Sequence, residues 1–194
     1  MNIDLNIEKG NRMEFTLKGA SVAFANLLRR YGVGQVPVFA IDKVTFYENG
    51  SAMFDEYISH RLGQLPLISE AGSKKDEVIF TLDADGPSTV YSRELKSTDS
   101  KIKCALENIP LLTLLEGQNI RLEAKARAGI GRNHGKFQAG LISYEILSPE
   151  QFKFKAESFM QLEPRDFLSK AADIVIARCD ELDEKLADLK KEKD

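Results

Sequence analysis

Apolar and polar residues alternate from the first positions of the chain. Ile3, Leu5 and Ile7 share one side, Gly10-Asn11 makes a turn, and Met13, Phe15 and Leu17 alternate again. Two such runs around a Gly-Asn pair predict a β-hairpin. After Gly19 the period changes. Ser21 can cap a helix that carries Ala23, Phe24, Leu27 and Leu28 on one side and ends with Arg29, Arg30 and Tyr31 before Gly32. Val36 to Tyr47 returns to strand character. Its apolar phase slips from Phe39 and Ile41 to Val44 and Phe46, which predicts a bulge or break near Asp42-Lys43.

Asn49-Gly50 marks a second turn, and Ser51 can cap a second helix with Phe54, Ile58 and Leu62 as its buried stripe. Gly63 and Pro66 stop that helix, leaving Asp55, Glu56, Ser59 and His60 on or beside its outward face. The middle, from about Ser69 to Leu147, reads as β-rich. Val78, Phe80 and Leu82 alternate, as do Ile120, Leu122, Ala124 and Ala126, and Phe137 to Leu147 is strand-like. Polar and glycine clusters at Asp83 to Ser88 and Gly129 to Gly135 punctuate it. Phe152, Phe154 and Ala156 give one more strand.

The cleanest periodicity closes the chain. Leu168, Ala172, Val175, Cys179, Leu182, Leu186 and Leu189 follow spacings that alternate four and three, a heptad seam with Arg178, Asp180, Glu181, Glu184 and Lys185 outside it. Ile174 and Ile176 widen the apolar arc of its first half, so this helix is expected to pack on its own sheet first and on something else afterwards. Burying a Leu-sized side chain is worth about 1.5–3 kcal/mol, so a wet seam of this length calls for a cover.

Composition narrows the function class. In 194 residues, 27 Lys and Arg against 30 Asp and Glu leave a net charge of -3, without the basic excess of a protein that coats nucleic acid. The two cysteines, Cys104 and Cys179, stand alone, which argues against a disulfide framework, a zinc knuckle or a thiolate-ligated cluster and fits a reducing cytosol. The acidic, alternating start is unlike a signal peptide, and no apolar run approaches the ~20 residues of a membrane span. A cytoplasmic protein is expected.

Candidate chemistry is sparse. Asp55, Glu56 and His60 share the second helix, but two close side chains are too few for a catalytic zinc, and no H-E-x-x-H order occurs. Gly129 to Lys136 is glycine-rich, yet Phe137 stands where a phosphate loop needs Ser or Thr, and strand rather than helix follows. Arg121, Lys125, Arg127, Arg132 and Lys136 make residues 121–136 locally basic, so a nucleic-acid-binding module is one alternative, and a hydrolase built on Asp55, Glu56 and His60 is another. There is no G-x-S-x-G, and neither cysteine adjoins a base.

Several stretches carry a resemblance. Ala25-Asn26-Leu27-Leu28-Arg29-Arg30 followed by Val36-Pro37 and Ala40 to Val44 resembles the first signature of the RNA polymerase α-like family. Asn49 to Leu67, with Asp55-Glu56, His60-Arg61-Leu62-Gly63 and Pro66-Leu67, resembles the archaeal form of that family. Gly131 to Gln138, and Phe154 to Phe159 with the long helix after it, resemble later segments. Gln35, Gln64 and Ala139 depart from the usual pattern. So does the passage from Tyr144 to Phe152, which lacks the cysteine-rich insertion that many archaeal members carry.

The resemblance implies an α+β fold. A discontinuous dimerisation domain, residues 1–46 and 150–194, would hold an inserted β-rich domain, residues 47–149. It implies an assembly scaffold of a DNA-directed RNA polymerase that adds no group to nucleotidyl transfer and binds no iron–sulfur cluster. The small α-like subunit L would pair with the first and last helices, through Phe24, Leu27, Leu28, Leu168, Val175, Cys179, Leu182 and Leu186. Arg29, Arg30 and the helix bearing Asp55, Glu56, His60 and Arg61 would seat the large subunits and the small zinc-binding subunit N. Nucleic acid would be met only through the whole complex.

Overall fold

The computed structural model describes residues 1–69 and 77–191. Residues 70–76, within the stretch expected to be β-rich, and 192–194, at the expected end of the closing helix, lie outside the described residues. In chain order the first elements are β1 (Asn2–Lys9), β2 (Arg12–Lys18), α1 (Val22–Gln35), β3 (Pro37–Asn49) and α2 (Asp55–Gly63). There follow β4 (Leu67–Ser69), β5 (Glu77–Asp85), β6 (Ser88–Tyr91), β7 (Lys96–Ser97), β8 (Ile102–Cys104) and β9 (Pro110–Leu114). Then come β10 (Asn119–Ile130), β11 (Gly140–Ser148), β12 (Gln151–Ser158) and α3 (Pro164–Lys191). The class is α+β, as the patterning predicts.

The chain forms two compact units, Met1–Val36 with Gln138–Asp194, and Pro37–Phe137. Both divisions fall earlier than the family-derived boundaries at 46/47 and 149/150. The reason lies in strand pairing: β3 is bonded to β10 from Pro37 onward, and β11 to β12 from Gly140 onward.

In the first unit an antiparallel sheet runs β1-β2-β12-β11. One face carries cross-strand apolar rows, Leu5–Phe15–Phe154–Tyr144 and Ile3–Leu17–Phe152–Ile146. Phe15 and Phe154 stack with ring centroids 5.0 Å apart. The other face is polar and laced by Lys18–Asp4, Lys153–Glu14 and Arg12–Glu157 ion pairs at 2.6, 3.1 and 3.3 Å. Such alternation is what a sheet with one wet face requires.

The helix α1 starts where expected, with the Phe24 amide donating to Ser21 Oγ at 3.2 Å. It does not end before Gly32. It runs on to Gln35, and Gly32 within it packs so closely on Ile142 that a side chain there would collide. The residues α1 buries are the small ones, Ala25 and Gly32, while Ala23 and Leu27 stay exposed. In α3 the buried residues are Pro164, Phe167 and Ala171, the last two one position ahead of the heptad seam.

The second unit holds a sheet of order β3-β10-β5-β7, two short two-stranded ladders, and α2. Val78, Phe80, Leu82, Ile120, Leu122 and Ala124 form its core together with Ile58 and Leu62. The β3–β10 register slips where the sequence predicts it. Lys125 pairs with Lys43 and Ala126 with Ile41, so Asp42 is the extra residue of a bulge. A second slip leaves out Tyr47.

Two expectations fail around α2. Ser51 is not its cap: Ser51 Oγ donates to Asn49 Oδ1 at 2.6 Å and accepts the Met53 amide at 3.2 Å, closing a polar turn that delays the helix to Asp55. Phe54 therefore precedes the helix and is 72% exposed, and the buried stripe is Ile58, Leu62 and Gly63. Phe137 lies not in a strand but in a single 3-10 turn, Gly135–Phe137, before β11 begins at Gly140.

Candidate partner interface

The hairpin β1–β2 is extended far enough to place a whole apolar strand edge beside the helices, but none of the described residues of the unit covers it. Ile3 is 61% and Leu5 47% exposed, although their cross-strand partners Leu17 and Phe15 are buried. Between this edge, Phe24 and Leu28 of α1, and Leu168 and Ala172 of α3 lies an apolar groove of about 450 Å³. Arg165 also lines it. Its guanidinium forks onto Glu8, Nε to Oε1 at 2.7 Å and Nη2 to Oε2 at 2.6 Å, tying the first turn of α3 to β1. That hydrogen bond holds the Glu8 carboxyl below the ordinary carboxylate range.

The seam of α3 continues outward from the groove. Leu168 and Val175 are half-buried and Cys179 is exposed. Leu182, Leu186 and Leu189 are 58%, 48% and 57% exposed. On a neighbouring face, Glu181 accepts from Arg178 and Lys185 at 2.6 Å each, and these hydrogen bonds, Lys185 first, lower its pKa. The helix therefore carries a charged flank and an uncovered apolar stripe.

Of the two arginines ending the first signature, Arg29 folds back. Its Nε and Nη2 donate to Asn26 Oδ1 at 3.2 and 3.0 Å. Arg30 is exposed. In the second unit Asp55 accepts from Asn49 Nδ2 at 2.6 Å, Glu56 is exposed, and Arg61 Nη2 donates to the Pro110 carbonyl of β9. Arg61 thus braces α2, while Glu56 and Phe54 face solvent. Among the described residues no three His, Cys, Asp or Glu side chains are grouped to hold a metal ion.

Three cations of the basic stretch share two carboxylates in place. On β10, Lys125 reaches Glu77 at 3.4 Å, and Arg121 lies 5.9 Å above the Tyr47 ring. Arg127 Nε donates to Asp42 Oδ2 and Lys136 Nζ to Asp42 Oδ1, both at 2.6 Å. The hydrogen bond from Arg127, then that from Lys136, pulls the Asp42 carboxyl down to about 2. Residue patterning marks Asp42 only as a slip of phase, with no hint of this double ion pair. The exposure of β1 is equally hidden in the sequence, because alternation marks a strand with two different faces and not whether the apolar one is covered.

Comparison with known proteins adds the family. A model described as the RNA polymerase Rpb3/RpoA insert domain matches residues 44–147. The chain is 39% identical over 166 residues to DNA-directed RNA polymerase subunit Rpo3 of Methanocaldococcus jannaschii, covering 86% of this chain and 85% of that protein. It is 44% identical over 146 residues to the Rpo3 of Pyrococcus furiosus and 42% over 149 residues to that of Thermococcus kodakarensis. Those matches take in 71% and 73% of this chain but only 56% and 58% of the longer relatives.

Proposed function

This chain belongs to the Rpo3 family of DNA-directed RNA polymerase subunits, and on that premise we propose that it is a non-catalytic assembly scaffold of such a polymerase. In this reading the first unit pairs with the small α-like subunit L. An apolar helix of the partner fills the groove beside β1 and follows the α3 seam past Cys179 to Leu189. Arg29, Arg30 and the exposed side of α2 seat the large catalytic subunits and the zinc-binding subunit N. Nucleotidyl transfer belongs to the large subunits, this chain holds no iron–sulfur cluster, and its place is the cytoplasm.

One observation carries the reading: a continuous apolar surface, groove plus seam, that the described sheet and helices of the unit leave uncovered. Permanent heterodimers bury about 2,000 Å² or more, with an apolar centre and a charged rim, and α3 offers both. For the nucleic-acid alternative, Lys125, Arg127 and Lys136 are already drawn onto Glu77 and Asp42, which reduces the charge the stretch presents to a phosphate backbone.

Cys179 supplies the test, because it sits on the seam and is exposed. A maleimide should label it readily in the isolated chain and slowly, by roughly tenfold or more, once the small α-like subunit is co-expressed and bound. Copurification with Cys179 still fully reactive would show that the partner docks elsewhere.

A further inference from the structure

The chain's two histidines, His60 and His134, are remote in sequence yet line one cavity of the second unit. The bulge in β3 brings Asp42 to its wall, the end of α2 brings Ser59 and His60 with Gln64 just after it, and the 3-10 turn brings Lys136 with His134 just before it. Its volume is about 240 Å³. That is below the ~300–1,000 Å³ of sites that enclose whole cofactors or nucleosides, and it suits a single side chain.

The cavity's polar groups sit in a largely apolar lining. His134 Nδ1 accepts the Lys136 amide at 3.1 Å, which places the ring proton on Nε2 and leaves that nitrogen as a donor. Lys136 Nζ is mostly buried and spends one of its three N–H groups on Asp42. Among the described residues Asp42 is the only carboxylate lining the cavity, and it is held from two sides, by Lys136 of the lining and by Arg127 from β10, so it leaves the remaining Lys136 N–H groups unspent.

We propose that this cavity is a carboxylate-binding site, in which His60, His134 and Lys136 receive an acidic side chain from a partner polypeptide. The proposal rests on the assembly reading for the source of that side chain, but its location is independent of the groove and seam. A carboxylate accepts several N–H donors at once, and such charge-assisted bonds are about twice as strong as neutral ones. Phosphate would offer more charge, but Lys136 is the one Lys or Arg among the residues lining the cavity, fewer cations than a nucleic-acid backbone requires.

The test follows the ring C–H resonances of both histidines in the full chain by NMR, titrating separately acetylglutamate and acetylglutamine, each capped as its α-amide so that only the first carries a carboxylate, and then inorganic phosphate and zinc chloride. Acetylglutamate should move His60 and His134 together with one midpoint. Lys136→Gln should raise that midpoint at least fivefold, and His134→Gln, at an exposed position, should abolish the His60 response in a chain of unchanged melting temperature. An equal response to acetylglutamine, or a response from one histidine alone, overturns the site. A lower midpoint for phosphate or for zinc overturns the ligand class. Cys179 protection reports partner capture separately, so a chain that pairs normally while both histidines ignore acetylglutamate fails this proposal and not the assembly reading.

Discussion

Asp42 shows how one residue converts an irregularity into structure. A bulged residue leaves the strand ladder, and its side chain is free to serve two others, here Arg127 and Lys136 from different segments. Replacing Asp42 with Asn should lower unfolding stability by about 1 kcal/mol at neutral pH, allowing for partial exposure. The folded carboxyl titrates near 2, below the ordinary value of about 4. The stabilisation is thus present above about pH 4 and is lost as pH falls toward 2. Urea midpoints of both proteins at pH 7, 4 and 2.5 should converge at the lowest value. The cysteines differ as sharply: burial pushes the Cys104 thiol up to about 11, whereas Cys179 is exposed. Iodoacetamide at pH 7.5 should modify Cys179 first and Cys104 only on unfolding, as peptide masses would show. Gly140 lies against the Glu157 carbonyl and the Phe167 ring, so Gly140→Ala should cost about 1–3 kcal/mol by overpacking, read as a fall in melting temperature.

Among the elements, α3 divides its work between two stripes. Phe167 and Ala171 hold it to its own unit, while the seam from Cys179 onward stays open to solvent as far as Leu189. Leu182→Asp should therefore change the stability of the isolated chain by less than about 0.5 kcal/mol, as an exposed substitution does, yet prevent copurification with the small α-like subunit. A large loss of stability would mean the stripe faces the chain's own core. The α1 helix follows the same logic with different residues. It presents Ala25 and Gly32 inward for close approach and keeps Phe24, Leu27 and Leu28 at the groove or in solvent. With Arg29 folded onto Asn26, Arg29→Ala should leave that pairing intact and weaken recruitment of the large subunits, measured by the yield of assembled enzyme.

Across the whole molecule, the elements that repeat with a clear period could be read from residue order alone. The hairpin, the capped first helix, the alternating core strands of the second unit, the bulge at Asp42 and the closing heptad are local consequences of side-chain period, and the signature stretches identified the α-like family. Periodicity says which residues share a face. It cannot say whether another element lies over that face, because covering is a long-range event. Tertiary packing decided that the apolar edge of β1 stays bare, that Phe54 falls outside its helix once Ser51 closes a turn, and that α1 passes through Gly32. It also decided that His60 and His134, remote in sequence, share one cavity, since only the folded path of β3, α2 and the 3-10 turn brings their donors together.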